Sequence, residues 1–455
     1  MKHGIFVIFR ANIISLVFSL LTNLLLPKTL SYGAYADIKT FQLYVSYVGL
    51  LHFGFADGMY LKYGGVAKDE LDPASIKSDI RSMRIFQLVV TAGCLIVSIF
   101  LRDPIFIAFS LSVVPLNMAS YFQLLFQATG EFQQYGLALN VTTAATFAVN
   151  MILLYLIRVR GSGIPYIILY LAVDVVVWIY LEAVCEKQLH LRNVSGRASF
   201  KIVRDNVKDG ILLMLGNLSN IFFTGMDRWF VKFLMNTAAF AQYSFAVSME
   251  GFLNVAVTPV SITLYNYFCN HSDRESVKNV QGKVLIFAAA IPACAFPAKF
   301  VLEVFLTKYI ASAGVLFYLF AAQTYATITK CIHVNLYKAE RRQTRYFVKL
   351  VLVLGIGFAL NVICWLIMHD KTAFAIGTLF SNIIWFLLSV MDFPEVRPSW
   401  KEFLFLFLET ILFMVLGLYC NAVIGLVGYI IGSIALGMLL IREDLRQMVQ
   451  YIKQR

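Results

Sequence analysis

Asp227 and Arg228 stand side by side near the end of an apolar stretch, in a chain where charge is scarce. A charged side chain at the centre of a membrane helix costs about 2.5–3.5 kcal/mol on insertion scales, so such residues are kept where they handle something polar. A guanidinium grips phosphate oxygens as a planar fork, whereas an ammonium acts as a point charge. Arg228 and Lys330, in two different apolar stretches, are therefore the candidate ligands for an anionic headgroup. The competing reading is structural: Arg228 could pair with Asp227 or a neighbouring helix, or snorkel to the outer interface. Lys330, about two turns from a basic loop, is open to the same alternative.

Three carboxylates, Glu250, Asp174 and Asp57, also fall inside apolar stretches. An acid held there can carry a proton through alternating access, or it can neutralise a nearby cation. Neither use excludes the other, and nothing in the sequence marks a sodium or other metal site.

Neutral polar residues complete the constellation by their spacing. Asn12, Ser15, Ser19 and Thr22 recur along one helical face, and Asn217, Asn220, Thr224 and Asp227 repeat that spacing 205 residues later. Gln323, Thr327 and Lys330 share a face, as do Glu250, Asn254, Ser261 and Tyr265 around Pro259. Water is absent from a hydrocarbon core, so such stripes must face another helix or a wet cavity. Asn12, Asn217, Asn220, Thr224, Asp227, Gln323, Asn254 and Tyr265 are accordingly expected to line a substrate cavity with Arg228 and Lys330.

The elements that must position these residues follow from composition. Of 455 residues, 60% are hydrophobic and 14% charged, against about 45–50% apolar and about 25% charged in soluble domains. With a bilayer span of about 20 residues as the unit, the expected spans are 4–26, 37–61, 82–101, 104–127, 134–158, 163–185, 207–233, 238–268, 281–303, 310–336, 345–368, 372–391, 402–420 and 422–441. The fold class expected is an all-α polytopic membrane protein with about fourteen (twelve to fourteen) spans. Most Lys and Arg fall in alternate loops, which places both termini in the cytoplasm. The first span is too long for a signal-peptide core and lacks a cleavage site after Pro27-Lys28, so it is expected to be retained.

The stripe repeat continues through Tyr35-Ala36 against Phe240-Ala241 and Tyr60 against Tyr265. It implies two parallel six-helix repeats around a central cavity, with substrate between them. The expected lobes are 1–185 and 207–391, joined by a basic linker, 186–206. A C-terminal helix pair and basic tail, 392–455, is appended, with Glu409 and the Gly425, Gly428, Gly432 series suited to close packing.

Several function classes are excluded. The net charge of +12 is spread among loops near anionic headgroups, and no nucleic-acid partner is expected. The seven cysteines are scattered small hydrophobes. No phosphate-binding glycine loop, nucleophile elbow or H-E-x-x-H motif occurs, no cofactor is expected, and no loop is long enough for a catalytic domain. The chain reads as a non-enzyme.

The first 65 residues carry Asn12, Leu24-Leu25-Leu26-Pro27, Tyr32-Gly33, Gly54-Phe55-Ala56-Asp57-Gly58 and Tyr63-Gly64-Gly65. In these, and in Asp227-Arg228 followed by Phe240-Ala241-Gln242-Tyr243-Ser244, the chain resembles bacterial lipid-linked oligosaccharide flippases. These are the O-antigen and capsule repeat-unit exporters of the multidrug/oligosaccharidyl-lipid/polysaccharide superfamily. The resemblance implies a two-lobed inner-membrane transporter, acting as a monomer, that moves undecaprenyl-pyrophosphate-linked oligosaccharide between leaflets of the membrane lipid. A polysaccharide polymerase and a chain-length regulator are the further partners it suggests. The alternative of the same fold is a multidrug or cation antiporter, which would favour an acid-dominated cavity.

Overall fold

Only helices and closed barrels satisfy their own backbone groups in lipid, and the apolar runs of this chain fold as helices, with no strand among the described residues. The structure, a computed structural model, describes residues 2–66, 70–129, 131–270 and 274–453. The chain divides into two compact units, Met1–Phe222 and Phe223–Arg455.

The first unit contains α1 (Lys2–Thr29), α2 (Tyr32–Val45), α3 (Phe55–Tyr63), α4 (Pro73–Leu101), α5 (Pro104–Ala128), α6 (Phe132–Met151) and α7 (Ile164–Gln188). It also contains the start of α8 (Phe200–Leu234), within which the unit boundary falls. Local chemistry sets the starts. Asp72 and Asp103 accept backbone N–H groups of the first turns of α4 and α5, and each is followed by proline at the first helical position, where its missing N–H costs nothing. The expected span 37–61 is broken by a 3₁₀ turn, Val48–His52, followed by Gly54 at φ +85°. Gly54 and Gly58 form the expected small-residue motif, pressed onto the backbone of α8 at Gly210 and Asn206. A Cβ on Gly54 would stand 2.7 Å from the Gly210 carbonyl carbon. The core gathers Phe55, Met59, Met83, Tyr121, Phe122 and Leu181 around α5.

The second unit continues with α9 (Thr237–Gly251), α10 (Asn254–Asn270), α11 (Arg274–Ala290), α12 (Ala295–Val304), α13 (Ala313–Ile328), α14 (Val334–Ala339), α15 (Gln343–Met368) and α16 (Thr372–Asp392). A π turn, Thr329–His333, joins α13 to α14. The chain ends in α17 (Trp400–Tyr419), α18 (Ala422–Leu440) and α19 (Arg442–Lys453). Here α13 is central, packed by α9, α16 and α17. Phe296, Phe317, Phe413 and Tyr429 form an aromatic cluster between α12, α13 and the α17–α18 pair. Gly432 brings that pair close, since a Cβ there would stand 2.6 Å from Leu412, and Gly425 lets α18 approach α12, since a Cβ there would stand 2.6 Å from Phe296. Lys299 fastens the corner by donating to the carbonyls of Gly417 (2.7 Å) and Cys420 (2.5 Å) at the end of α17.

Element ends repeat with the displacement found in the sequence. Ser31 caps α2 by accepting the Ala34 N–H at 3.1 Å, and Asn236, 205 residues on, caps α9 by accepting the Ala239 N–H at 2.8 Å. With the same shift α4 falls on α11–α12, α5 on α13 with its π turn, and α7 on α16. Among the described residues nine helices are long and apolar enough to cross a membrane, or ten if α9 and α10, bent by 41°, count as one span. The expected fourteen are therefore not all recovered. The polar residues Asn217, Ser219, Asn220 and Thr224 lower the hydropathy of α8, and part of the remainder is broken into shorter helices.

Candidate functional site

The charged residues singled out in the second half gather in the second unit, on α8, α9 and the turn after α13. Asp227 is buried, and its Oδ2 accepts from the Tyr243 hydroxyl at 2.6 Å and from Thr378 Oγ1 at 3.4 Å. Its Oδ1 accepts the backbone N–H of Arg228 at 2.7 Å. The carboxylate is thus held by α9 and α16 and by its own helix. No ion pair within 4 Å joins Arg228 to any carboxylate among the described residues, and its buried Nε has no hydrogen-bond partner there. Desolvating a guanidinium nitrogen without a partner is costly. The arrangement therefore holds in reserve a donor that an anion could engage.

Glu250 lies in the last turn of α9, where its carboxylate accepts from the side-chain amide of Gln323 on α13. The charges that act on it are those of Asp227, Arg228 and Lys330. Lys330 sits in the π turn, a device that re-aims side chains within a helix and recurs at functional sites. Its ammonium donates to Asn254 Oδ1 at 3.2 Å and Thr258 Oγ1 at 3.5 Å, both neutral groups on α10. The turn is locked to α10. Ser261 donates to the Lys330 carbonyl at 3.3 Å, and the Asn335 amide donates to the Ser261 and Cys331 carbonyls at 2.7 and 3.0 Å. One cation with an unpartnered nitrogen and one bonded only to neutral side chains, beside two acids whose side-chain donors are neutral, are what the second unit offers a polar ligand.

The other expected site residues are placed as follows. Thr224 is exposed on the second-unit part of α8, while Asn217 and Asn220 are exposed on its first-unit part. Tyr265 is 38% exposed and bonded to Cys269, about 10 Å along α10 from Thr258 by helical rise. No hydrogen bond joins it to the Lys330 group among the described residues. The Asn12 side chain lies outside those described. Asp57 is buried in the first unit with His52 Nε2 at 3.9 Å, and Asp174, half-buried on α7, has no hydrogen bond or ion pair among the described residues. Among those residues no His, Cys, Asp or Glu cluster could hold a metal.

Lys39 and Thr378 escaped the sequence reading, which named Tyr243 only within a motif and not as the partner of Asp227. Lys39 is buried in α2 and donates to Asn23 Oδ1 at 2.9 Å and Gln42 Oε1 at 3.0 Å. Asn23 occupies the position that Arg228 has in the repeat. The first half therefore also carries a cation at this corner, contributed by the second helix and not the first. The signal was present: Lys39 is the one Lys or Arg within the apolar stretch 37–61.

No protein-family model matches this chain, and no curated protein does. Solved structures do. The chain is similar to a structure described as the lipid II flippase MurJ in an inward closed conformation, with a TM-score of 0.67 and 14% identity over 96% of this chain and 99% of the other. It matches a multidrug resistance MATE family transporter of the MOP superfamily, inward-facing, at a TM-score of 0.48 and 13% identity over 85% of this chain and 95% of that one. A Vibrio cholerae MATE transporter matches at 0.45 and 13% identity, covering 88% and 97%. The architecture of this chain is the all-helical, multi-pass membrane fold of the lipid II flippase.

Proposed function

We propose that the chain is a flippase for undecaprenyl-pyrophosphate-linked oligosaccharide repeat units. It moves them from the cytoplasmic to the periplasmic leaflet by alternating access, ion- or potential-coupled, in surface polysaccharide assembly. The observation that supports this most is the state of Arg228: a partly buried guanidinium with an unpartnered Nε and no ion pair within 4 Å among the described residues, in a helix where charge is expensive. Pyrophosphate oxygens would supply the missing acceptors, and a bidentate fork suits them. Lys330, bonded only to Asn254 and Thr258 side chains, adds a second positive point charge. Asn254, Thr258 and Gln323 provide the amides and hydroxyl that sugars need as partners.

Asp227 and Thr224 are assigned to the substrate path of the second unit, and Asn217, Asn220 and Asn12 are proposed as substrate contacts of the first, the last from the repeat alone. Tyr265 is kept as a weaker member, since it lies away from the Lys330 group. Glu250, Asp57 and Asp174 are the coupling residues proposed. Asp174 suits that role best, because an acid without a partner is free to take and release a proton.

A cation antiporter is favoured by one observation, that same unpaired Asp174. The two readings separate in one experiment. A surface-polysaccharide flippase deletion strain is complemented with this chain, and glycan display and tolerance to cationic drugs are both measured. Restored glycan with unchanged drug tolerance supports the flippase; raised tolerance without glycan overturns it.

A further inference from the structure

Away from the Asp227–Arg228 network, the first unit holds a cavity of about 490 Å³ lined by Arg81, Arg84, Ile85, Gly196, Arg197 and Ala198. Its floor is built by laying the segment after α7 against α4. Gly196 permits this, because a Cβ there would stand 2.7 Å from the Ser78 nitrogen. The Arg197 N–H donates to Ser78 Oγ at 3.2 Å, the Ser199 N–H to Ser82 Oγ at 3.1 Å, and the Arg81 guanidinium to the Gly196 carbonyl at 2.5 Å. Three guanidinium groups thus border one cavity.

Their charges are not balanced there. Arg84 pairs with Glu182, yet its Nε is buried without a partner. Arg81 and Arg197 have no carboxylate within 4 Å among the described residues. A cavity with this lining suits an anion.

The height of the cavity along α4 identifies the anion's carrier. Arg84 is the last charged residue before Arg102, so it marks one end of a membrane-length apolar run. Ile85, Leu88 and Val89, on the turn beyond it, are 54%, 54% and 67% exposed. Apolar side chains exposed on a spanning helix face acyl chains. A basic cavity opening onto such a strip at the headgroup level matches an amphiphile with a phosphate at one end.

We propose that this cavity binds the phosphate headgroup of an anionic membrane lipid, with Arg81, Arg84 and Arg197 around the phosphate and the chains along Ile85, Leu88 and Val89. The site lies in the first unit and is independent of the cargo assigned to Arg228. Arg84 is left intact in the test, because its loss would orphan Glu182.

The purified full-length protein is exposed in detergent to phosphatidylglycerol or phosphatidylcholine, and retained lipid is counted by native mass spectrometry. The parent is expected to hold phosphatidylglycerol in preference to phosphatidylcholine. The Arg81→Gln/Arg197→Gln variant should lose that retention on the order of ten-fold. An unchanged melting temperature shows that the variant is folded; if it is not, Arg197→Gln alone, an exposed position, carries the test. Equal retention by parent and folded variant overturns the proposal, as does equal retention of the two lipids. Inorganic phosphate competing as well as the lipid would make this a free-anion site and overturn the lipid assignment.

Discussion

Tyr243 on α9 donates a 2.6 Å hydrogen bond to Asp227 on α8, and so engages the carboxylate that adjacency in sequence would assign to Arg228. The acid is secured by a neutral phenol and by Thr378, and the guanidinium next to it keeps an unpartnered nitrogen. An Asp–Arg dipeptide that looks self-neutralising is therefore built as two separately handled groups.

Tyr243→Phe removes one of the neutral donors to Asp227 and should let the carboxylate turn to Arg228. Glycan export in the complementation assay is expected to fall several-fold. The thermal stability of the purified protein should fall by about 1–2 kcal/mol, the usual worth of a hydrogen bond within a membrane bundle. Export at the parent level would mean that Tyr243 does not hold Asp227 away from Arg228.

Gly58→Val drives a branched side chain into the backbone of Asn206, where no rotamer relieves the clash. Overpacking of this kind costs about 3 kcal/mol or more when the neighbour is main chain. Thermal melting of detergent-purified protein should show a large loss of stability. A melting temperature within a degree of the parent would contradict the packing of α3 on α8.

Ser31→Ala and Asn236→Ala remove equivalent caps from α2 and α9. Each should lower stability by about 1 kcal/mol, and by similar amounts, because each leaves one backbone donor of a first turn unsatisfied. Markedly unequal losses in melting experiments would weaken the equivalence of the two corners.

Lys299→Met keeps the aliphatic bulk but removes the donors to the Gly417 and Cys420 carbonyls. The connection between α17 and α18 should loosen while α13 and its neighbours stay packed. Hydrogen exchange is expected to rise at Leu416–Val423 and to stay unchanged in α9. Uniform protection would show that Lys299 does not fasten this corner.

The repeat was legible because it is written in local chemistry. A polar residue that caps a helix, or a stripe at helical spacing, leaves a mark that survives a shift of 205 residues, and Ser31 and Asn236 show it at the atomic level. Arg228 and Lys330 were legible because charge is rare in apolar runs. What could not be read was partner choice, which depends on helices far apart in sequence: Tyr243 and Thr378 on Asp227, Gln323 on Glu250, and Asn254 with Thr258 on Lys330. Span breaks were also hidden. The 3₁₀ turn at Val48–His52 lies in an apolar run, and the π turn at Thr329–His333, although it carries Lys330 and His333, holds no proline or glycine to mark a break.

A cation at this corner of the repeat is not confined to the second half. Lys39, held by Asn23 and Gln42, places a cation at the first unit's equivalent corner. The difference lies in engagement: Lys39 has two side-chain amide acceptors in hand, while the Arg228 Nε has none. That difference is the ground on which Arg228 is proposed as the cation for an incoming ligand.

Binding of undecaprenyl pyrophosphate to the purified protein, parent against Arg228→Ala and Arg228→Lys, tests this account most directly. Loss of a charge-assisted pair of hydrogen bonds is worth about 1.5–3 kcal/mol, so affinity should drop roughly ten- to a hundred-fold in Arg228→Ala. Arg228→Lys, which keeps the charge but not the fork, should fall between the two. Equal affinity of the folded Arg228→Ala variant and the parent would contradict the assignment of Arg228 to the headgroup.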